Sequence, residues 1–508
     1  MTTSDGKKQI RLVLSENVDV TVKSVTNIAT TDDTVVCATI DWWPPEKCNY
    51  GMCPWGKAGL FNLDLNNKIL RNAVKAFNPM RLRFGGSLED QIVYQFGKAV
   101  KSCPRMKNST DGLFGFTKGC LTMSRWDEIN QFTNDTRAVV TFGLNALIGR
   151  TRSSDNITYV GDWHHHNARD LIKYTVEKGY NIESWELGNE LCGGGVSAKV
   201  DAAQYGKDTI VLRNMVDKIY KNSTQKPKIL GPGGFYDDKW FDTYLQVSGA
   251  SVIDGITHHI YNLGPGVDPN LIYKIQDPFY LDQVEQTFKD VANLLRAFPW
   301  ASAWIGESGG AYNSGGRDVS HAFVNGFWYL DQLGMASKYN HKVYCRQTLI
   351  GGNYGLLNTT TFIPNPDYYG ALLWHRLMGK QVLATTHSGS PYLRTYAHCS
   401  RDKPGITLLI INLSNSTSFE VSVVDDFDMG AMPYAGGEQA REEYHLTPKD
   451  GNILSDIVLL NGYPLFLKES LDIPDMYPLE VDPSTNIKIA PDSIVFATLR
   501  DFQAPACA

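Results

Sequence analysis

Two short segments carry residue types that can do chemistry as a pair. Trp185-Glu186-Leu187-Gly188-Asn189-Glu190 and Trp304-Ile305-Gly306-Glu307-Ser308 each run an apolar, strand-like stretch into a glycine and then a carboxylate. A single Asn-Glu pair is common and most often marks nothing more than a helix start. Two such endings, 117 residues apart, are a different signal. A carboxylic acid that protonates a leaving oxygen, opposed by a carboxylate that attacks or activates water, is what glycoside hydrolysis requires. Asn189 beside Glu190 is placed to hold a substrate hydroxyl. Glu186 is a possible decoy: strand alternation puts Glu186, Gly188 and Glu190 on one face, with Glu186 lower and structural.

Such a pair needs a frame that brings distant strand ends together. Short β-branched or apolar runs alternate with helical stretches from about residue 26 onward. The strand candidates are Val35–Ile40, Met80–Phe84, Ala138–Phe142, Ile182–Leu187, Lys228–Gly231, Gly255–Ile260, Ala303–Gly306 and Cys345–Ile350, with helices such as Ala168–Lys178 and Leu281–Phe298 between them. Eight strand–helix units predict an α/β fold, a (β/α)8 TIM barrel over residues 26–380. Glu190 then ends strand four and Glu307 ends strand seven, at the barrel face where catalytic groups sit. A doubly wound sheet is the other option, but no GxGxxG follows Ile40.

After Lys380 the helical rhythm stops. Strand-like pieces at Ile406–Ile411, Phe419–Val424, Ile453–Leu460, Ile487–Ile489 and Ser493–Leu499 are separated by turn residues and predict a β-sandwich. Gln9–Val22 reads as strand, turn, strand and has no place in a barrel. It is expected to join the C-terminal sheet, so that residues 1–25 and 381–508 form one domain.

The bulk composition sets limits. The chain has 508 residues, 43% of them hydrophobic and 20% charged, with a net charge of −6. That supports a large core and argues against disorder or a polyanion binder. No Lys/Arg run suggests nucleic acid, and no apolar stretch of 18 residues suggests a membrane span. The polar start, Met1 to Lys8, is not a signal peptide. N-x-[ST] sequons nevertheless begin at Asn108, Asn134, Asn156, Asn222, Asn358, Asn412 and Asn415. Cys48 and Cys53 sit in a turn-rich loop, CNYGMCPWG, that favours a disulfide over zinc. Nine cysteines leave at least one unpaired within the chain. Sequons and loop cysteines together point to the secretory pathway: extracellular space, cell wall or vacuole. His164-His165-His166 tempts a metal reading, but consecutive strand residues face opposite ways, and a surface or helix-start cluster is expected instead. No metal and no cofactor are expected.

The motifs WELGNE and WIGES resemble those of glycoside hydrolase family 79, the heparanase-like enzymes, and specifically its plant β-glucuronidase branch. TIDWWPPEKC (Thr39–Cys48), RLRFGGSLED (Arg81–Asp90), FGLNALIGR (Phe142–Arg150), HHIY (His258–Tyr261), GGNYGLL (Gly351–Leu357) and PDYYGALLW (Pro366–Trp374) extend the resemblance over nearly the whole chain. It implies a barrel with a β-sandwich built from both termini. It implies a retaining double displacement, with Glu190 as acid/base and Glu307 as nucleophile. Asp41 resembles an acid that holds a sugar hydroxyl, although its spacing fits a helix cap as well. The loop Ala311-Tyr312-Asn313-Ser314-Gly315-Gly316 resembles one that binds a glucuronate carboxylate through a Tyr hydroxyl and successive backbone N–H groups. Heparanases carry Gly where Asn313 and Ser314 stand. His259 and Tyr261 fit a His-x-Tyr beside the nucleophile, with His258 as the alternative. Gln347, Asn353 and Tyr354 are expected in the cleft, and Trp42, Trp43 and Trp374 either there or in the core. The implied substrate is a β-D-glucuronide cleaved exo-fashion, foremost that of a flavonoid such as baicalin. Endo-cleavage of a heparan-type polymer, an arabinogalactan substrate and a non-catalytic carbohydrate-binding barrel are the alternatives. The acidic charge balance argues against the heparan-type polymer.

Overall fold

The computed structural model describes residues 14–97, 100–426, 432–433 and 439–508. Eight parallel strands close into a barrel in chain order: Val36–Asp41, Arg81–Gly85, Val139–Leu144, Ser184–Leu187, Lys228–Phe235, Gly255–Ile260, Ser302–Ser308 and His341–Arg346. Strands covered by helices outside and filled by side chains inside are buried on both faces, and their polar residues must find partners. Val36–Asp41 and Gly255–Ile260 are accordingly buried at every residue. An outer helix such as Glu285–Ala297 buries one stripe, Phe288, Val291 and Leu294, whereas Asn325–Lys338 is buried at every residue but the last.

The first seven expected strands fall on observed ones within a few residues. The eighth begins four residues early, at His341, and ends at Arg346. Leu349 and Ile350 are buried, but in the loop that follows, where Leu349 donates its N–H to Thr39 O. An apolar run inside a folded loop is indistinguishable by pattern from a strand. The expected helix Leu281–Phe298 is two, Pro278–Asp282 and Glu285–Ala297. Between the first and eighth strands, Cys37 stands opposite Cys345 in register, and the two form a disulfide that staples the barrel where the chain closes. Cys48–Cys53 also pair as expected, alongside Cys103–Cys120 and Cys399–Cys507; Cys192 is the free, buried thiol.

The remaining strands make a β-sandwich. Met378–Thr386 is its corner: one part pairs with Leu393–Ser400, while its end pairs with the N-terminal strand Leu14–Lys23. The antiparallel ladder continues through Ile406–Asn412, Ser493–Leu499 and Arg441–Pro448. The expected N-terminal hairpin is instead one strand across its described part; residues 9–13 lie outside the described residues. The expected turn is absent from the described part of this segment, because a parallel neighbour runs beside it, from Leu14 opposite Thr417 to Val22 opposite Asp425. Alternation then sends Val18, Val20 and Val22 into a core with Phe419, Val421, Ile410 and Val495. Of the expected piece Ile453–Leu460, only Val458–Leu460 is strand, since Asn452–Ser455 closes a turn.

Candidate active site

The fourth, sixth and seventh strands deliver three side chains to one point at the C-terminal mouth of the barrel. Ligating atoms of Glu190, His259 and Glu307 all lie within 4.8 Å of one another, and all three residues are buried. Among the described residues this is the one cluster of such groups close enough to share an ion, but each member is already committed to a neighbour. His259 Nδ1 lies 3.0 Å from Glu190 Oε1, and the Tyr261 hydroxyl donates to Glu307 Oε1 at 2.6 Å. His258 turns away to meet His341, so the His-x-Tyr pair is His259 and Tyr261.

Glu190 is presented by an unusual backbone. Gly188 and Glu190 both have positive φ, 70° and 55°, so the chain turns sharply out of the strand. For a non-glycine residue this costs about 1 kcal/mol or more and must be held from outside. Gly233 O accepts the Glu190 N–H at 2.7 Å, and Asp90 accepts the N–H groups of Asn189 (2.9 Å) and Ala146 (2.7 Å). Burial pushes the Glu190 carboxyl up to about 7, against the opposing pull of Arg83. About half of the molecules therefore keep the proton at neutral pH, and more below it, as a general acid needs.

Arg83, from the second strand, is the hub. Its Nε donates to Glu186 (2.6 Å), one terminal nitrogen to Glu307 Oε2 (3.0 Å) and the other to Asn189 Oδ1 (2.9 Å). Burial opposes its charge, but Glu186 and Glu307 more than offset that and raise its pKa. Glu186 is thus a fully buried counter-ion below the site, the structural role expected of it. Fixing Asn189 Oδ1 leaves its amide Nδ2, buried and without a partner among the described residues, as a donor toward the cleft.

Asp41, at the end of the first strand, accepts from Gln347 Nε2 at 2.9 Å, and Thr39 donates to the other end of the same Gln347 amide. Burial, and then the Glu307 carboxylate, push Asp41 well above the usual carboxylate range. Its second oxygen has no partner among the described residues and suits a substrate hydroxyl. The glycine pair of RLRFGGSLED makes room here: a Cβ on Gly86 would stand 2.8 Å from the Asp41 carboxyl.

The loop after the seventh strand carries Tyr312, Asn313 and Ser314 to the cleft wall. Asn313, Ser314 and Gly315 have φ of 58°, 76° and 77°, the region that glycine tolerates best. Side-chain bonds hold the two non-glycine residues there. Ser314 Oγ accepts from Asn49 Nδ2 (2.7 Å) and Trp55 Nε1 (2.9 Å), Asn313 donates to the Tyr50 hydroxyl (2.9 Å), and Asn353 N–H donates to Ser314 O (2.7 Å). The expected row of free N–H groups is shortened, because Gly316 N–H donates to Ser320. In its place stands the Ser314 hydroxyl. Both its lone pairs are filled, so its proton points to whatever enters the cleft. The cavity, about 370 Å³, is also lined by Trp43, Lys47, Phe114, Val196, Phe235, Gln347 and Tyr354.

All ten expected site residues therefore meet at this mouth. Asn353 braces the loop from behind. Trp42 and Trp374 are core, and of the three tryptophans only Trp43 reaches the cleft. His165 and His166 stack at the start of helix His166–Glu177. Arg83, Asp90, Asn49 and Lys47 were not anticipated, nor were Phe114, Val196 and Phe235 of the cleft wall. Arg83 had a signal: an arginine inside the apolar run MRLRF has to be paired once buried. The others depend on chain paths that spacing does not encode.

The chain is similar to known proteins over most of its length. The sequence model of glycosyl hydrolase family 79, N-terminal domain, matches residues 17–334. Heparanase-like protein 2 of Arabidopsis thaliana is 51% identical over 503 residues, covering 94% of this chain and 93% of its own. Baicalin-beta-D-glucuronidase of Scutellaria baicalensis is 43% identical over 486 residues, covering 93% and 90%. Among solved structures, a 4-O-alpha-L-rhamnosyl-beta-D-glucuronidase from Fusarium oxysporum has a TM-score of 0.64 at 14% identity, over 94% of this chain and all of the other; at that identity the likeness is one of fold. With that match and those relatives over a barrel whose mouth holds two opposed glutamates, the chain is a glycoside hydrolase and belongs to glycosyl hydrolase family 79.

Proposed function

We propose that the protein is a retaining exo-β-glucuronidase, with Glu190 as acid/base and Glu307 as nucleophile. The observation that carries this reading is the division of the cleft. At the strand ends stand two acceptors, Glu307 and the unpartnered oxygen of Asp41; on the loop after the seventh strand stands a donor, the Ser314 hydroxyl, whose oxygen already accepts from Asn49 and Trp55. A sugar with hydroxyls on one side and a carboxylate on the other matches that division. A neutral hexose would leave the donor side underused.

The reaction follows from the positions. Glu307 attacks the anomeric carbon while Glu190 gives its proton to the leaving oxygen. Glu190, now ionised, takes a proton from water, which hydrolyses the glycosyl-enzyme with retention. Carboxyl oxygens within 4.8 Å support this course, since an inverting pair needs about 6.5–9.5 Å to admit water. Arg83 and Tyr261 hold Glu307 in the attacking orientation from both oxygens. Neutral His259, its pKa lowered to about 4 by burial, has no acceptor at Nε2 among the described residues and so carries its proton best on Nδ1, facing Glu190.

The aglycone side supports an aryl group such as a flavonoid. Val196 and Phe235 rim the cleft beside Glu190 and are 46% and 44% exposed, an apolar platform for a leaving group with a ring face. A relative that is named a baicalin glucuronidase supports the same reading. Secretion is part of the proposal. Four disulfides, and sequon asparagines exposed at every site except Asn412, suit an oxidising, glycosylating route.

The test is hydrolysis of a chromogenic aryl β-glucuronide beside the matching β-glucoside, with Glu307→Gln as control. Turnover of the glucuronide, lost in the variant, is expected. Faster turnover of the glucoside would overturn the reading of the donor side.

A further inference from the structure

Lys47 lies in the loop that leaves the first barrel strand, just before the Cys48–Cys53 disulfide. Paired backbone bonds between Asn49 and Met52 tighten that loop, and Asn49 and Tyr50 tie it to Ser314 and Asn313 across the mouth. The loop that carries Lys47 is thus anchored at the mouth, and the Lys47 side chain lines the cleft. The ammonium sits 4.0 Å from the centroid of the Trp43 ring. It has no carboxylate within 4 Å and no hydrogen-bond acceptor among the described residues. The other cation at the site, Arg83, is spent on Glu186, Glu307 and Asn189. Taking a charge part-way out of water without a counter-charge is unfavourable. Burial lowers the Lys47 pKa to about 8, with only Asp41 opposing. An anion brought by a ligand would supply the missing partner.

We infer that Lys47 is a specificity residue whose ammonium pairs with the carboxylate of the bound uronic acid and favours acidic over neutral sugars. The inference rests on the glucuronidase reading and adds to it a charge that loop donors alone do not supply. Ser314 and the loop would orient the carboxylate; Lys47 would distinguish its charged form from an uncharged one of the same shape. The cation over Trp43 is held in place by the ring before the ligand arrives, so little side-chain freedom is lost on pairing.

The experiment compares two competitive ligands, methyl β-D-glucuronide and its uncharged carboxamide, against aryl glucuronide hydrolysis by the wild type, Lys47→Met and Lys47→Arg. The wild type should bind the acid about tenfold or more tighter than the amide, the range for a charge-assisted contact. The ratio should collapse toward one in Lys47→Met and be largely kept in Lys47→Arg. KM for the glucuronide should rise more than kcat falls. An unchanged ratio in Lys47→Met would overturn the assignment, and so would equal weakening of both ligands, which would mean that Lys47 merely props Trp43. If the wild type itself does not separate acid from amide, and the glucoside is cleaved faster, the glucuronidase reading falls and Lys47 with it. An unchanged ratio together with brisk glucuronide turnover refutes Lys47 alone.

Discussion

Replacing Glu190 with glutamine should make the protein more stable, and only at higher pH. The Glu190 carboxyl rises from an ordinary 4.5 to about 7 because it is buried. Between those values the folded state keeps a proton that the unfolded state has lost. Stability therefore falls as pH rises through that window, by about 1.4 kcal/mol per unit, and is flat above it. Across the window the cost reaches roughly 3 kcal/mol, and a glutamine does not incur it. Glutamine can also still accept from His259 Nδ1, so the contact at 3.0 Å survives. With an unfolding entropy that scales with 508 residues, this corresponds to about 3 °C in Tm. The assay is calorimetric melting of wild type and variant at pH 4.5 and pH 8. The variant should match the wild type at pH 4.5 and melt higher at pH 8. Other raised carboxyls, such as Asp90 at about 7, are present in both proteins and largely cancel in the difference. An offset of equal size at both pH values would refute the reasoning, because Glu190 would then not be held neutral by the fold. The same shift places the alkaline limb of kcat/KM near pH 7.

Glu307→Ala should nearly abolish turnover of every substrate, whereas Glu190→Ala should harm alkyl glucuronides far more than an activated aryl one; equal losses in a leaving-group series would remove the acid assignment. Arg83→Met leaves Glu186 buried without its partner and should cost about 3–5 kcal/mol in a denaturant titration. Adding Glu186→Gln should restore most of that stability but not kcat, because Glu307 still lacks its Arg83 contact; recovery of kcat would reduce Arg83 to a purely structural part. Glycan mapping of protein secreted from a eukaryotic host should find Asn412 unmodified, since its amide is buried and donates to Thr417 O and Ala490 O; a glycan there would contradict the described packing.

The barrel was legible because its strands are short, doubly buried runs set at regular intervals, and the sandwich because helical periodicity stops after Lys380. Glu190 and Glu307 were legible because each ends such a run behind a glycine. The fold of the loops was not. The Leu349–Ile350 run looks like strand and is buried loop, and Gln9–Val22 reads as strand, turn, strand but is one strand from Leu14 on, because a neighbour about 400 residues away keeps it extended. What the sequence determined by itself is which groups stand at the ends of the strands. Local periodicity dictates which residues face inward and where a run stops. Tertiary structure alone decided what those groups touch: that Arg83 rather than water neutralises Glu307, that His259 and not His258 meets Glu190, and that Lys47 overhangs the cleft. Each of these is a contact between chain segments far apart in sequence. Such contacts depend on barrel closure and loop path, and they set the burial that moves Glu190 to about 7, so no pattern of nearby residues encodes them.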